Sequence, residues 1–314
     1  MNWSKDALLS KAKLYFTKAF EEEKDSPFFG IFCALGLELL ARAALANISP
    51  TLLADNANAQ GNILYALGKK DASGSFKPKS LIVSSVLLIC KEVISGFNED
   101  CYKIALSLVE RRNEELHTGG GAFAEYNQDK WIAGFYLCCK VLSESMGESL
   151  ISVFGKEEAK TAEVLITQDA EKVKKEVMDR ISSRKKVYEE TVKDSGDSGA
   201  AMIAKGTFMI DIRTHQGYHK VTCPCCGNSA LIYGKEPDYG KEIIADDEVI
   251  VRKDVIPSSF KCDVCNLKLS SYAELKAAGL PLHYTTTESY DPIEYFGIDK
   301  DSFEEWAYEG YSND

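Results

Sequence analysis

The sequence predicts a mainly α-helical protein that ends in a small β-rich module. Three observations predict it. Apolar residues recur at helical spacing over about the first 155 residues. A long charged stretch with helical character follows, from 156 to 193. After residue 200 the period changes to short β-branched and aromatic runs, and two C-x-x-C pairs sit among them. The expected parts are a helical domain at 1–155, a charged helix and linker at 156–198, a cysteine-knuckle module at 199–285 and an acidic aromatic tail at 286–314.

The first helix is expected from about Ser4, with Leu8, Leu9, Ala12, Tyr15, Phe16 and Ala19 on one side. Ser26-Pro27 opens the second, serine as N-cap and proline at the first helical position, and Ile48-Ser49-Pro50 closes it. Residues 51–79 read as a loop with one short helix. Ser80 is read as the start of a helix through Leu81, Val86, Leu87 and Cys90. Asn98-Glu99-Asp100 caps a helix that ends at His117, and one more helix is expected from Gln128 to Phe154. Asp194-Ser195-Gly196-Asp197-Ser198-Gly199 is the clearest linker. Beyond it, Thr207–Ile212, Ala230–Tyr233 and Glu248–Val251 read as strands. Ser271-Tyr272-Ala273-Glu274 is a capping box for a short helix stopped by Gly279 and Pro281.

Charge and cysteine usage narrow the function classes. The net charge of −11 over 314 residues argues against a surface coated in nucleic-acid contacts. The acid is uneven, however: from Glu288 to Asp314 nine acidic residues face one lysine, Lys300, so the body is left near neutral. Basic clusters at Lys172, Lys174 and Lys175 and at Arg184, Lys185 and Lys186 are interleaved with acid, the pattern of a solvated helix face, with nucleic-acid contact as the sharper alternative. The most apolar run, Phe28 to Ala46, carries Glu38 and Arg42, which suits a buried helix better than a membrane span. Of ten cysteines, Cys33, Cys90, Cys101, Cys138 and Cys139 lie in apolar helical patterns and the other five sit in knuckles. That split, with no signal-peptide pattern at Met1-Asn2-Trp3-Ser4, fits a reducing cytoplasmic setting and no membrane association.

Cys223-Pro224-Cys225-Cys226-Gly227 and Cys262-Asp263-Val264-Cys265 each present two thiols on one side of a tight turn. Tetrahedral Zn2+ takes four such thiolates. The expected ligands are Cys223, Cys226, Cys262 and Cys265, with Cys225 intervening, and the metal is structural because the set leaves no open position. The 227–261 spacer is long for a zinc ribbon and is read as an excursion between ribbon strands. A redox pair, or a ligand role for His215 or His219, is the alternative.

One helix end carries a different chemistry. Arg111-Arg112-Asn113-Glu114-Glu115-Leu116-His117 is stopped by Thr118-Gly119-Gly120-Gly121. Arginine can hold a phosphate bidentately and an imidazole can move a proton near neutral pH. Asn113 and His117 are i and i+4 and share a face. Arg112 and His117 are about 140° apart around the helix axis. One helix therefore converges them poorly, and two copies facing each other would pool them. Arg213 before His219 has a similar spacing, but without the following asparagine and in strand-like sequence. Cations at a helix C-terminus are also favoured by the helix dipole, so a plain surface helix end is the alternative.

With Arg112-Asn113-Glu114-Glu115-Leu116-His117 at the end of an amphipathic helix, the chain resembles the HEPN family (higher eukaryotes and prokaryotes nucleotide-binding), whose ribonucleases carry R-x4-6-H. The resemblance covers about residues 4–155 and leaves the cysteine module outside. It implies a helical bundle, a homodimer with a composite active site, and cleavage of single-stranded RNA without a catalytic metal. His117 would be general base or acid, Arg112 would stabilise the phosphorane, and Asn113 would orient His117 or a phosphate oxygen. Arg111 would be a second phosphate contact, or else pair with Glu115 at i+4; Glu38 would sit beside the active helix, or else simply pair with Arg42. The products would be a 2′,3′-cyclic phosphate and a 5′-hydroxyl. The implied setting is a bacterial toxin or antiviral defence, with a regulatory protein partner. The other class the sequence allows is a catalytically silent scaffold that binds RNA or protein. The acidic tail, with Tyr290, Tyr295, Phe296, Phe303, Trp306, Tyr308 and Tyr311, is either a helix packed on the body or a plug over a basic cleft.

Overall fold

A computed structural model describes residues 2–72, 76–195, 218–245 and 247–297. The chain divides into two compact units, Met1–Glu176 and Val177–Asp314. The first is all helical and the second holds the strands among the described residues.

The helical unit is built around α2 (Pro27–Ile48). Ser26 caps it, its hydroxyl accepting from the Phe28 amide, and Pro27 occupies the first turn where no donor is needed. Leu37, Leu40, Ala41, Ala44 and Leu45 of α2 are buried. By length and composition α2 is apolar enough to cross a membrane, but 61% of its most apolar window is buried inside the protein. Against it lies α1 (Lys5–Glu21), capped by Ser4, with Leu8, Leu9, Ala12, Phe16 and Ala19 buried. Gly36 lets the two helices approach: a Cβ there would stand 2.4 Å from the Phe16 ring.

The rest of this unit is α3 (Ala59–Ala66), α4 (Val83–Val93), α5 (Glu99–His117), α6 (Ile132–Ser145), α7 (Leu150–Phe154) and the start of α8 (Lys156–Ser195). The α5 cap is Asn98, whose side chain accepts from the Asp100 and Cys101 amides. Phe16, Phe135 and Phe154 meet in the core, with ring centroids 4.9 to 6.3 Å apart.

Two expectations for this unit need correction. Ser80 does not open α4; it bridges to Ala54 and accepts from Arg42, and the helix starts three residues later without a side-chain cap. The helix expected from Gln128 to Phe154 is three pieces: a 3-10 turn at Gln128–Lys130, then α6, then α7. The break falls at Gly147, at φ 74°, after which Ser149 caps α7.

The second unit contains the end of α8, where Val177 and Ile181 are buried. Its strands form two antiparallel sheets. One has the order β1 (His219–Thr222), β2 (Ser229–Tyr233), β5 (Ser259–Lys261), β6 (Lys268–Leu269). The other has the order β3 (Lys241–Ile244), β4 (Val249–Val255), β7 (Tyr284–Tyr290). The 227–261 spacer is thus a β2 strand, a β3–β4 hairpin given to the second sheet, and a return in β5. Gly234 sits where the chain leaves the first sheet, and a Cβ there would meet the Ile256 carbonyl oxygen at 2.2 Å. Central strand β2 is covered on both faces: Ala230, Leu231 and Ile232 are all buried. Ser271 caps α9 (Tyr272–Ala277), and Gly279 follows it at φ 69°. A last short helix, α10 (Pro292–Tyr295), follows β7.

The expected strand Thr207–Ile212, Arg213, His215, most of the linker and the tail from 298 lie outside the described residues. Tyr290 closes β7, which runs across the expected boundary at 285, and Tyr295 and Phe296 lie in and after α10.

Candidate functional site

The α5 end divides its own side chains between two surroundings. Arg112 points to α2, where its Nη2 donates to Glu38 Oε2 at 3.1 Å. Glu38 Oε1 takes Arg42, through Nη2 at 2.9 Å and Nε at 3.0 Å. Arg42 also donates to Ser80 Oγ and the Leu81 carbonyl. One carboxylate thus holds two guanidinium groups, and the side chains of Arg42, Glu38 and Arg112 are only 11%, 18% and 12% exposed. The cluster keeps one net positive charge. The Arg112 Nε is buried without an acceptor among the described residues.

Asn113, Leu116 and His117 are exposed on the same last turns. Asn113 and His117 therefore share an open face, while Arg112 lies apart from it in the single chain. Arg111 is engaged by Tyr126 and Ala122 where pairing with Glu115 was the alternative. Its guanidinium stacks 3.7 Å from the centre of the Tyr126 ring, and its Nη1 donates to the Ala122 carbonyl at 3.2 Å. Glu115 instead accepts from the Phe123 amide at 3.0 Å. These contacts tie the segment after the glycines back onto α5. The Thr118 hydroxyl closes the helix by donating to the Glu114 carbonyl.

The four expected ligand cysteines come together. The sulfurs of Cys223, Cys226, Cys262 and Cys265 all lie within 4.8 Å of one another. Cys223 and Cys265 Sγ are 3.6 Å apart, as are Cys226 and Cys262. A tetrahedron with metal–sulfur bonds of about 2.3 Å has edges of about 3.8 Å, so the donor set fits a four-coordinate ion. The two knuckles share one backbone device. The residue after the second cysteine takes a left-handed conformation in each: Gly227 at φ 72° and Asn266 at φ 56°. The Cys225 amide points at Cys223 Sγ at 3.4 Å, and the Cys262 amide donates to the Leu267 carbonyl.

Surroundings set the thiols apart. The hydrogen bond with Cys262 lowers the Cys223 thiol, but the bond with Cys265 and burial outweigh it and push it up to about 12. Burial acts against Cys226 as well, but bonds from Asn228 outweigh it and hold that thiol below its ordinary value. Asn228 Nδ2 also donates to Tyr188 Oη at 3.0 Å, which fastens the knuckle to α8. Cys225 stands outside the tetrad, and burial pushes its thiol up. His219 stacks on Tyr284 at 4.9 Å and takes no part in the cluster. In the helical unit, burial raises Cys33, Cys138 and Cys139, and Cys90 to about 12, which keeps them as inert core thiols.

Sequence reasoning missed the second guanidinium on Glu38, the ring under Arg111 and the knuckle role of Asn266. The last had a signal: asparagine is among the non-glycine residues enriched in the left-handed region. No family model matches the chain, and no curated protein or solved structure is similar enough to place it in a family.

Proposed function

We propose that the helical unit is a HEPN-type endoribonuclease that cuts single-stranded RNA, and that a second copy of the chain completes its site. The observation that carries this reading is the division of the α5 end. Glu38 anchors Arg112 while Asn113, Leu116 and His117 stay exposed one turn on. Phosphodiester cleavage needs a fixed cation and an open imidazole at one phosphate, and the exposed Leu116 offers a seam at which a second copy would bring the two together.

In this reading His117 takes the proton from the 2′-hydroxyl, or gives one to the departing 5′-oxygen. Arg112 faces the charge that builds on the phosphorane, with Glu38 and Arg42 fixing its orientation. The 2′-oxygen bonds to phosphorus and the 5′-oxygen leaves, giving a 2′,3′-cyclic phosphate and a 5′-hydroxyl. Asn113 orients His117 or a phosphate oxygen. Such an activity suits a toxin or defence effector restrained by a partner protein.

The metal of the second unit is zinc in this reading. Cys223, Cys226, Cys262 and Cys265 fill its four positions, so it holds the fold and leaves no place for a water. Elemental analysis should give about one zinc per chain; iron in its place would overturn the assignment.

A second reading has one observation in its favour: within a single chain Arg112 is mostly covered and apart from His117. It makes the protein a non-cleaving scaffold for RNA or protein. Incubating the full-length protein with single-stranded RNA separates the two. The nuclease reading expects fragments ending in 2′,3′-cyclic phosphate, with the rate lowered at least about a hundredfold in His117→Ala. Equal fragment yields from wild type and His117→Ala would overturn it.

A further inference from the structure

We propose that the cavity beside the start of α2 is a subsite for one unpaired, amino-bearing nucleobase. The proposal rests on the ribonuclease reading for the kind of polymer bound, and on the cavity itself for the rest. The cavity has a volume of about 290 Å³. That is close to the lower end of small-molecule sites, roughly 300 Å³. It is too small for a folded RNA element and suited to one flat ring.

Three aromatic side chains, Phe123, Tyr126 and Trp131, are among its walls. Aromatic walls are the usual way to hold a splayed-out base of single-stranded RNA. Trp131 is 3% exposed, and its indole Nε1 has no acceptor among the described residues. An indole nitrogen only donates, and this one carries no accessible surface, so a ligand that accepts from it must displace a neighbouring side chain to reach it. Asp25 and Asp129 also line the cavity, and they only accept when ionised. Lys24 is the one cation among the lining residues, and it lies 3.6 Å from the Glu158 carboxylate. Two carboxylates against one engaged lysine disfavour a phosphate and favour a neutral ligand with N–H donors. Adenine, cytosine and guanine offer an acceptor and an exocyclic amine whose two N–H groups can meet both carboxylates; uracil offers a single N–H, at N3.

The same segment that closes the α5 end builds this wall. Phe123 donates its amide to Glu115, and Arg111 stacks on Tyr126. Phe123 also seats directly on α2 at Gly30, where a Cβ would stand 2.3 Å from its ring. A base held here is therefore tied through two contacts to the helix that carries Arg112 and His117. Base preference in cleavage follows from that connection.

The test is a titration of full-length His117→Ala protein with adenosine, cytidine, guanosine and uridine, followed by the indole N–H resonances. The chain has three tryptophans, and Trp131→Phe identifies the resonance to follow. The expected result is a saturable shift of the Trp131 resonance with at least one amino-bearing nucleoside. It should bind about tenfold more tightly than uridine. Asp129→Asn, at an exposed position that leaves the fold intact, should remove that preference. No shift with any of the four at millimolar concentration, or uridine bound as tightly as the others, overturns the proposal. The nuclease reading is scored separately: a wild type that binds nucleoside without cutting RNA keeps the subsite and sinks the nuclease, and a wild type that cuts with Trp131 unmoved does the reverse.

Discussion

In the helical unit Phe16, Leu37, Leu40, Phe135 and Leu142 are among many fully buried side chains contributed by several helices, and no single contact dominates. In the unit that begins at Val177, short strands of two to seven residues carry a thin core, and four thiols crowd into one corner. Strands this short each bury little apolar area, and a metal held by four thiols is one way to fasten them together. The contrast also sorts the chemistry. Thiols that must meet at one ion are constrained by the ion's own geometry, so their spacing in sequence is diagnostic. An arginine and a histidine on one helix are constrained by nothing comparable, and their meaning depends on what faces them.

Breaking each unit at its own weak point should separate the two sharply. Cys262→Ser should cause the largest loss. A structural zinc contributes on the order of 10 kcal/mol of folding free energy, so the strands should melt and the metal content fall to background. The helices of Met1–Glu176 should unfold at an unchanged denaturant midpoint, followed by far-ultraviolet circular dichroism. A metal-free variant with an intact strand signal would remove the distinction.

Glu38→Gln attacks the other unit. It leaves Arg42 and Arg112 mostly covered and facing each other without their shared carboxylate. Breaking a buried pair from one side costs about 3 kcal/mol or more, and chemical denaturation should show it with metal content unchanged. Gly36→Ala should cost about 2 kcal/mol by forcing Phe16 out of its place, since apolar overpacking is absorbed poorly. Asn266→Ala sharpens the comparison from the other side. Alanine keeps the Cβ but lacks the short polar side chain that lets asparagine tolerate the left-handed region, so Asn266→Ala should weaken only the cysteine unit, by roughly 1 kcal/mol, and Asn266→Gly should recover that loss. Its readout is the metal-dissociation rate in the presence of a chelator.

The helices were largely legible because their ends carry chemistry that acts locally. Ser26 and Asn98 each cap the helix expected of them, and Ser4 caps the helix expected to begin near it. Ser80 misled because its hydroxyl has a partner 38 residues away in Arg42, and no local pattern carries that pairing. The break before α7 was written in Gly147 and Ser149, a stop followed by a cap, but the apolar pattern on both sides hid it. The tetrad could be read from spacing alone. Arg111 could not: its pairing with Glu115 was allowed by helix geometry, yet Tyr126 and Ala122 take it because the chain folds back after the glycines. Glu38 and Arg112 are 74 residues apart, and only packing of α2 on α5 brings them together.

Whether two copies make one active site is best tested by mixing two disabled proteins. Arg112→Ala keeps His117, and His117→Ala keeps Arg112. If the site draws its arginine and histidine from opposite copies of a symmetric dimer, random re-pairing restores roughly a quarter of the wild-type RNA cleavage, because half the dimers carry one whole site of two. A mixture no more active than either variant alone, beside a wild type that cuts, would contradict the composite site.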